Sequence, residues 1–283
     1  RTLVVDGARF AITPDGRAWT ENAKISYPFW TRYLDVYDYV DLLIRGYPCE
    51  EASPSMKEVT GKNIRAIPVF DYSSPVQLAL HFPQMLLTIR KSLKEAEAIH
   101  FRVPNILADV VWRLLKRDRP YGVEVVSDPH QTYSPQSFPH PLRRLFRVII
   151  PSELKRQCAQ ATTASYVTEY MLQRRYPPTA AKFDTHFSSI QLNEEAYLEK
   201  ERDVTKAEGE SWKFVFIGTF DGFYKGPHIL LDALLITKQK GFSIKLAFLG
   251  DGSKRTEMEA KAQELGLADV TQFIGHVGVK KIH

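Results

Sequence analysis

Cysteine is scarce: Cys49 and Cys158 are the two in 283 residues. They are too few and too far apart for a disulfide framework, which fits a reducing cytoplasm. No window approaches about 18 consecutive apolar residues, so no membrane-spanning helix is expected. Neither a G-x-x-x-x-G-K-[ST] phosphate loop nor a G-x-G-x-x-G dinucleotide fingerprint occurs, which argues against P-loop enzymes and nicotinamide-type dinucleotide folds. No Cys/His/Asp cluster has metal-ligand spacing, and no metal or other cofactor is expected. Aromatic residues do not alternate with basic ones as on a stacking platform, so nucleic acid is not an expected partner. The chain opens at Arg1 on the strand-like run TLVVD rather than on a basic region followed by a long apolar one. No secretory leader is expected, and the missing Met places the natural start upstream or marks its removal.

What is present is an ordinary globular balance, 44% hydrophobic and 25% charged, with a formal net charge of +5. A modest positive charge suits anionic ligands: nucleoside diphosphates, anionic lipid surfaces or nucleic acid. The densest basic stretch is Arg143, Arg144, Arg147, Lys155 and Arg156, in a helical-looking segment. It reads either as a solvated helix face or as peripheral contact with anionic lipid headgroups or a lipid-linked acceptor.

Short β-branched runs alternate with helical patterns. Strands are expected at Thr2–Asp6, Tyr39–Ile44, Arg65–Phe70, Ala98–Val103, Gly122–Ser127 and Ala164–Thr168. Helices are expected at Pro75–Lys94, Asn105–Lys116 and 142–162, with Leu107, Val110, Val111, Leu114 and Leu115 recurring at helical spacing. This alternation predicts a parallel sheet covered on both faces. Residues 128–141 carry four prolines and read as a loop after a buried strand, where open α/β sheets place ligands. The charged stretch Glu194–Ser211 reads as an interdomain linker. A first domain over 1–205 and a second over 206–283 follow.

The second domain reads as strand Lys213–Gly218, helix Pro227–Lys240 capped by Gly241, strand Ile244–Leu249, helix Lys254–Leu265 capped by Gly266, and strand Val270–Ile274. Right-handed crossovers would bring its glycine turns to one carboxyl edge. Three parallel strands with an open edge are an incomplete Rossmann unit, so the second domain is expected to continue past His283.

The strongest chemical signal is FIGTFDGFYKGPHILLDAL, residues 216–234. Gly218 ends a strand and admits a ligand close to the backbone. Lys225 and Gly226 precede Pro227 at the first helical turn, where a missing N–H costs nothing. A helix N-terminus beside an ammonium group is a diphosphate site, or else a structural turn with a surface lysine.

At this point a resemblance becomes specific. Gly218, Lys225-Gly226, Leu230-Leu231-Asp232-Ala233, Gly250-Asp251-Gly252, Glu264-Leu265-Gly266-Leu267 and Val270 through Phe273 to Gly275 occur in order. Stretch 214–278 resembles the nucleotide-sugar-binding domain of retaining GT-B glycosyltransferases of family 4. The resemblance implies an α/β, GT-B-like fold of two Rossmann-type parallel-sheet domains, the second incomplete here. It implies that Lys225 contacts the donor diphosphate, that Gly250–Gly252 lie beside the nucleotide, and that the backbone at His276 and Val277 reads the base. The arginine the family keeps after the first glycine is Thr219 here, which cannot replace its charge; another cation compensates, or the donor is held differently.

The first domain resembles bacterial family 4 enzymes of capsule or exopolysaccharide assembly, through residues 15–45, 98–105, 116–129 and 164–177. By that resemblance it is the acceptor side, and Gly16 in Thr13–Arg17 matches a glycine loop near the donor phosphates. The implied co-substrates are a nucleoside-diphosphate sugar and a saccharide or lipid-linked acceptor, at the cytoplasmic face of a membrane or free in the cytoplasm. The catalytic residues stay open. His100 reads as structural or as a hydrogen bond to sugar. Arg102 reads as a phosphate ligand or as the partner of a carboxylate such as Glu124. Glu124 and Asp128 share a strand face and read as ion-paired or as an acid–base pair. The family's cleft histidine aligns with Ser127 or Asp128, with His130 nearby as a substitute. The glutamate pair that grips the sugar in the family is not found before His283.

Overall fold

The computed structural model describes residues 1–21, 25–72, 75–135, 140–188, 197, 200 and 210–277. Two compact units result: Arg1–His130 with Leu145–Gln191, and Gln131–Arg144 with Leu192–His283. Of the charged segment 194–211, only Tyr197, Lys200, Glu210 and Ser211 lie among the described residues, so the linker reading and the 205/206 boundary fall outside them.

In the first unit the strands are β1 (Thr2–Ile12), β2 (Ala18–Thr20), β3 (Val40–Pro48), β4 (Lys57–Glu58), β5 (Ile64–Phe70), β6 (Ala98–Val103), β7 (Gly122–Val125), β8 (Thr163–Tyr166) and β9 (Phe183–His186). The helices are α1 (Tyr27–Thr31), α2 (Pro75–Glu95), α3 (Ile106–Leu114), α4 (Pro129–Thr132), α5 (Arg143–Gln160) and α6 (Met171–Arg175). The parallel strands run β5-β3-β1-β6-β7-β8-β9, and β2 and β4 add antiparallel pairs beside the outer half of β1. The chain reverses direction across the sheet between β1 and β6, a topological switch point.

Why these residues form strands is visible in the register. Leu3 and Val5 on β1 sit beside Ile99 and Phe101 on β6, and all four are buried. Strands covered on both faces need continuous apolar runs, and these have them. One face holds a core of Leu3, Val5, Leu43, Ile99 and Phe101 under Met85, Ile89, Leu107, Val111 and Leu154. The other holds Val4, Leu42 and Ile44 under Phe29, Trp30 and Tyr33. α3 starts where Asn105 accepts a hydrogen bond from the Ala108 amide at 2.8 Å, satisfying an orphan helix donor.

Two expectations change. β1 runs beyond Asp6 to Ile12, because a bulge between Val5 and Arg9 shifts the register and lets Arg9–Ile12 pair again with Arg45–Pro48. The proline-rich stretch 128–141 is not loop throughout: Pro129–Thr132 forms a helical turn.

The second unit contains β10 (Trp212–Ile217), α7 (Pro227–Gln239), β11 (Ile244–Leu249), α8 (Arg255–Glu264) and β12 (Thr271–Gly275). The strands are parallel in the order β10-β11-β12. Gly241 and Gly266 take positive φ after their helices. Phe220, Leu231, Leu234, Phe248, Met258 and Leu267 form the buried centre.

Candidate functional site

Gly218, Thr219, Lys225, Gly226, Gly250, Gly252, His276 and Val277, expected beside a donor, lie at or near the carboxyl edge of the second sheet. The Gly218 amide donates to the Leu249 carbonyl at 3.0 Å, and the Gly250 amide to the Gly275 carbonyl at 2.8 Å. The three strand ends therefore finish level, each on a glycine. The loops behind them are laced together. The Phe220 amide donates to the Asp251 carbonyl at 2.9 Å, and the Lys254 amide to the Phe220 carbonyl at 2.8 Å. Phe220 is buried against Phe216, Phe248 and Phe273, so apolar packing fixes the floor of the edge.

Lys225 closes a short 3-10 turn, Phe223–Lys225, and Gly226 follows in the left-handed region at φ 76° and ψ 27°. An L side chain rarely adopts that conformation, and it is the one that turns the chain into α7. The N-cap Gly226 brings no side-chain cap to α7, whose start carries the positive end of the helix dipole. A Cβ built on Gly218 would lie 3.8 Å from Lys225 Cγ. The lysine stem thus runs beside the glycine that ends β10, on an exposed surface.

Thr219, where the resemblance calls for arginine, is part of the loop's own bonding. Its hydroxyl donates to Asp221, accepts from the Asp221 amide at 3.2 Å and lies 3.3 Å from the Asp251 carbonyl. A second cation stands at the same edge: Arg255 Nη1 bonds Asp251 at 3.1 Å, its Nε bonds Glu259 at 2.8 Å and Nη2 bonds the Phe273 carbonyl at 3.0 Å. The Gly252 amide and Arg255 hold the Asp251 carboxyl below the usual carboxylate range, with His276 adding to it. Sequence reasoning passed over Arg255; the four-residue spacing of Asp251, Arg255 and Glu259 was the available signal. His276, exposed, and Val277, half-buried, follow β12 directly at this edge. Gly252, at φ 153°, packs against the backbone of Phe220 and Asp221.

The first unit gathers a different constellation. Arg102, on β6, pairs with Asp6 at 3.0 Å and stands 3.9 Å from Glu124. Arg32 reaches Glu124 at 2.7 Å, and the Tyr33 hydroxyl donates to the same carboxylate. Both guanidinium groups lie over Phe29, at 4.2 and 4.4 Å. Burial raises the Asp6 carboxyl against the opposing pull of Arg102. His100 bonds the Tyr37 hydroxyl through Nε2 at 3.0 Å, and burial lowers its pKa. Two acids thus face two arginines, the composition of a structural network. Arg32 and Tyr33 carried no sequence signal, since Glu124 is some 90 residues away.

Asp128 is held elsewhere. It pairs with Arg175, accepts from the Tyr176 hydroxyl at 2.8 Å and from the His130 amide at 3.0 Å. His130 Nε2 is 3.3 Å from Arg147. Glu124 and Asp128 therefore have separate partners. Gly16 occupies the exposed turn between β1 and β2, where its amide donates to the Thr13 carbonyl at 2.8 Å.

Residues 198–283 match the family described as Glycosyl transferases group 1. Protein CapJ of Staphylococcus aureus is 26% identical over 239 residues, which are 83% of this chain and 58% of that protein. The chain thus spans a little over half the length of this relative. Among solved structures, sucrose-phosphate synthase from Thermosynechococcus elongatus superposes with a TM-score of 0.58 at 15% identity, covering 99% of this chain and 71% of the other. WaaG, a glycosyltransferase involved in lipopolysaccharide biosynthesis, gives 0.52 at 12% identity, covering 98% and 70%. These likenesses and the two parallel sheets show a GT-B-like α/β fold.

Proposed function

We propose that this chain carries the donor half-site of a glycosyltransferase that moves a sugar from a nucleoside diphosphate to a saccharide or lipid-linked acceptor. The observation that carries the reading is the run of the Lys225 stem past Gly218, beside the uncapped start of α7. Amide dipoles and an ammonium group at one strand edge stabilise the charge that develops on a departing diphosphate. With that field supplied by the chain, no metal is required. The base would rest against the backbone at His276 and Val277, with Gly250 and Gly252 beside the nucleotide. Retention of anomeric configuration, membership of family 4 and a role in cell-surface polysaccharide assembly follow from the sequence resemblance, while the match to Glycosyl transferases group 1 supports glycosyl transfer. A cytoplasmic setting accords with two free thiols, one of them pushed up to about 12 by burial at Cys158.

Calorimetry with UDP, GDP and ADP tests the site. Lys225→Ala should weaken the preferred nucleotide by about 1–3 kcal/mol, the range for a charged hydrogen bond. Equal affinity in both proteins would remove the assignment.

Thr219 favours a second reading, a nucleotide- or carbohydrate-binding module without transfer activity. Nucleotide binding with no donor turnover, in the presence of any acceptor, would select it.

A further inference from the structure

The outer surface of the first unit's helical layer is banded. α2, α3 and α5 share one face of the sheet, since Ile89, Val111 and Leu154 enter the same core. Each follows a parallel strand, so all three run the same way. On α2 the solvent side should be polar. Instead Val76, Leu80 and Leu87 are 68%, 72% and 68% exposed. With Pro83 they fall four, three and four residues apart, one stripe along the helix. The same stripe ends in Arg90, Lys91 and Lys94, all exposed.

α5 carries exposed Leu145, Val148 and Ile149 in its first half, interspersed with Arg143, Arg144 and Arg147, and exposed Lys155 and Arg156 in its second. Between the two helices, Lys116 follows α3. It lines a hollow of about 500 Å³ with Arg90, Lys94 and Arg119, and Asp118 is the acid in that lining. On α2 the apolar stripe therefore lies toward the carboxyl edge of the sheet and the basic end toward the amino edge, and on α5 exposed apolar and basic residues share one face.

A lone exposed leucine needs no explanation, but apolar stripes on two helices of one layer do. Among the described residues no helix is long and apolar enough to cross a membrane, so this surface does not belong to a spanning segment. We propose that the α2–α3–α5 face docks on an anionic lipid bilayer. Charge complementarity selects that occupant: the apolar band enters the boundary between headgroups and acyl chains, and the basic band meets lipid phosphates. The surface extends well beyond the basic run of α5 that is conspicuous in the sequence. It stands independently of the donor site, because it is read without nucleotide.

The test is flotation of the 283-residue chain with phosphatidylcholine vesicles, with and without phosphatidylglycerol. The chain should float with the anionic vesicles alone, less so as salt rises. Leu80→Glu with Leu87→Glu should abolish flotation, and Lys91→Gln and Lys94→Gln should each reduce partitioning about fivefold. Circular dichroism checks the leucine variant for folding; the exposed lysine variants decide the matter alone if it fails. No flotation of the intact chain, equal flotation with neutral vesicles, or indifference to the lysine substitutions overturns the proposal. So does a dimer in light scattering that Leu80→Glu dissociates while vesicles go unbound. Calorimetry with UDP on the same variants should be unchanged, which separates this surface from the donor reading.

Discussion

Gly250 and Gly218 end adjacent parallel strands so closely that a Cβ on Gly250 would run into the Gly218 carbonyl oxygen. The φ of Gly250, 143°, is also one that side-chain-bearing residues avoid. Gly250→Ala therefore combines backbone strain with overpacking. It should cost about 2–4 kcal/mol in urea denaturation and displace the strand edge. A loss below about 0.5 kcal/mol would mean that the two strand ends part freely.

Thr219 offers a test by gain. Thr219→Arg would place a planar cation one residue beyond Gly218, able to meet phosphate with two parallel hydrogen bonds. Nucleoside-diphosphate affinity should rise by up to about 2 kcal/mol. Weaker binding would show that the hydroxyl's bonds to Asp221 and Asp251 matter more to the loop than added charge.

Arg102 separates structural from ligand-binding roles in the first unit. Arg102→Met leaves Asp6 buried without its partner. Breaking such a pair costs about 3–5 kcal/mol. Denaturation should register that loss while UDP affinity, measured on the folded fraction, stays unchanged. Lost affinity with intact stability would make Arg102 a ligand for phosphate.

Asp109 gives a pH signature. Burial pushes its carboxyl from 3.8 up to about 6, although Gln157 donates to it at 2.7 Å. Below 3.8 both folded and unfolded forms are protonated. Between 3.8 and about 6 the unfolded chain releases the proton that the folded chain keeps, so this group's contribution to stability falls as pH rises. Asp109→Asn keeps an acceptor for Gln157 and removes the penalty. It should stabilise the protein at pH 7 by up to about 3 kcal/mol, with the difference gone below the unfolded value. Equal denaturation midpoints at both ends of the window would show an unshifted carboxyl.

Much of the frame was legible in the amino-acid order. Ala98–Val103 and Ile244–Leu249 are strands at their expected limits, because a β-branched run between turn residues has few other ways to be buried. The lysine–glycine–proline start of α7 was legible for a similar reason: it depends on the backbone preferences of consecutive residues. Local order also marked Gly218, Lys225 and Gly226 as one cluster, though not how Arg255 would stand at the same edge.

Tertiary structure alone decided the rest. β9 is exposed along its whole length and carries no apolar alternation, so only pairing with β8 makes it a strand. The outer half of β1 exists because a bulge returns it to β3. Arg102 takes Asp6 as its nearer partner because β1 lies beside β6 in the sheet. The apolar stripe of α2 is ordinary in sequence and becomes a surface only once the sheet claims the opposite side of the helix. Short-range preference is written residue by residue, whereas the partner of a buried charge depends on which distant strand the topology sets beside it.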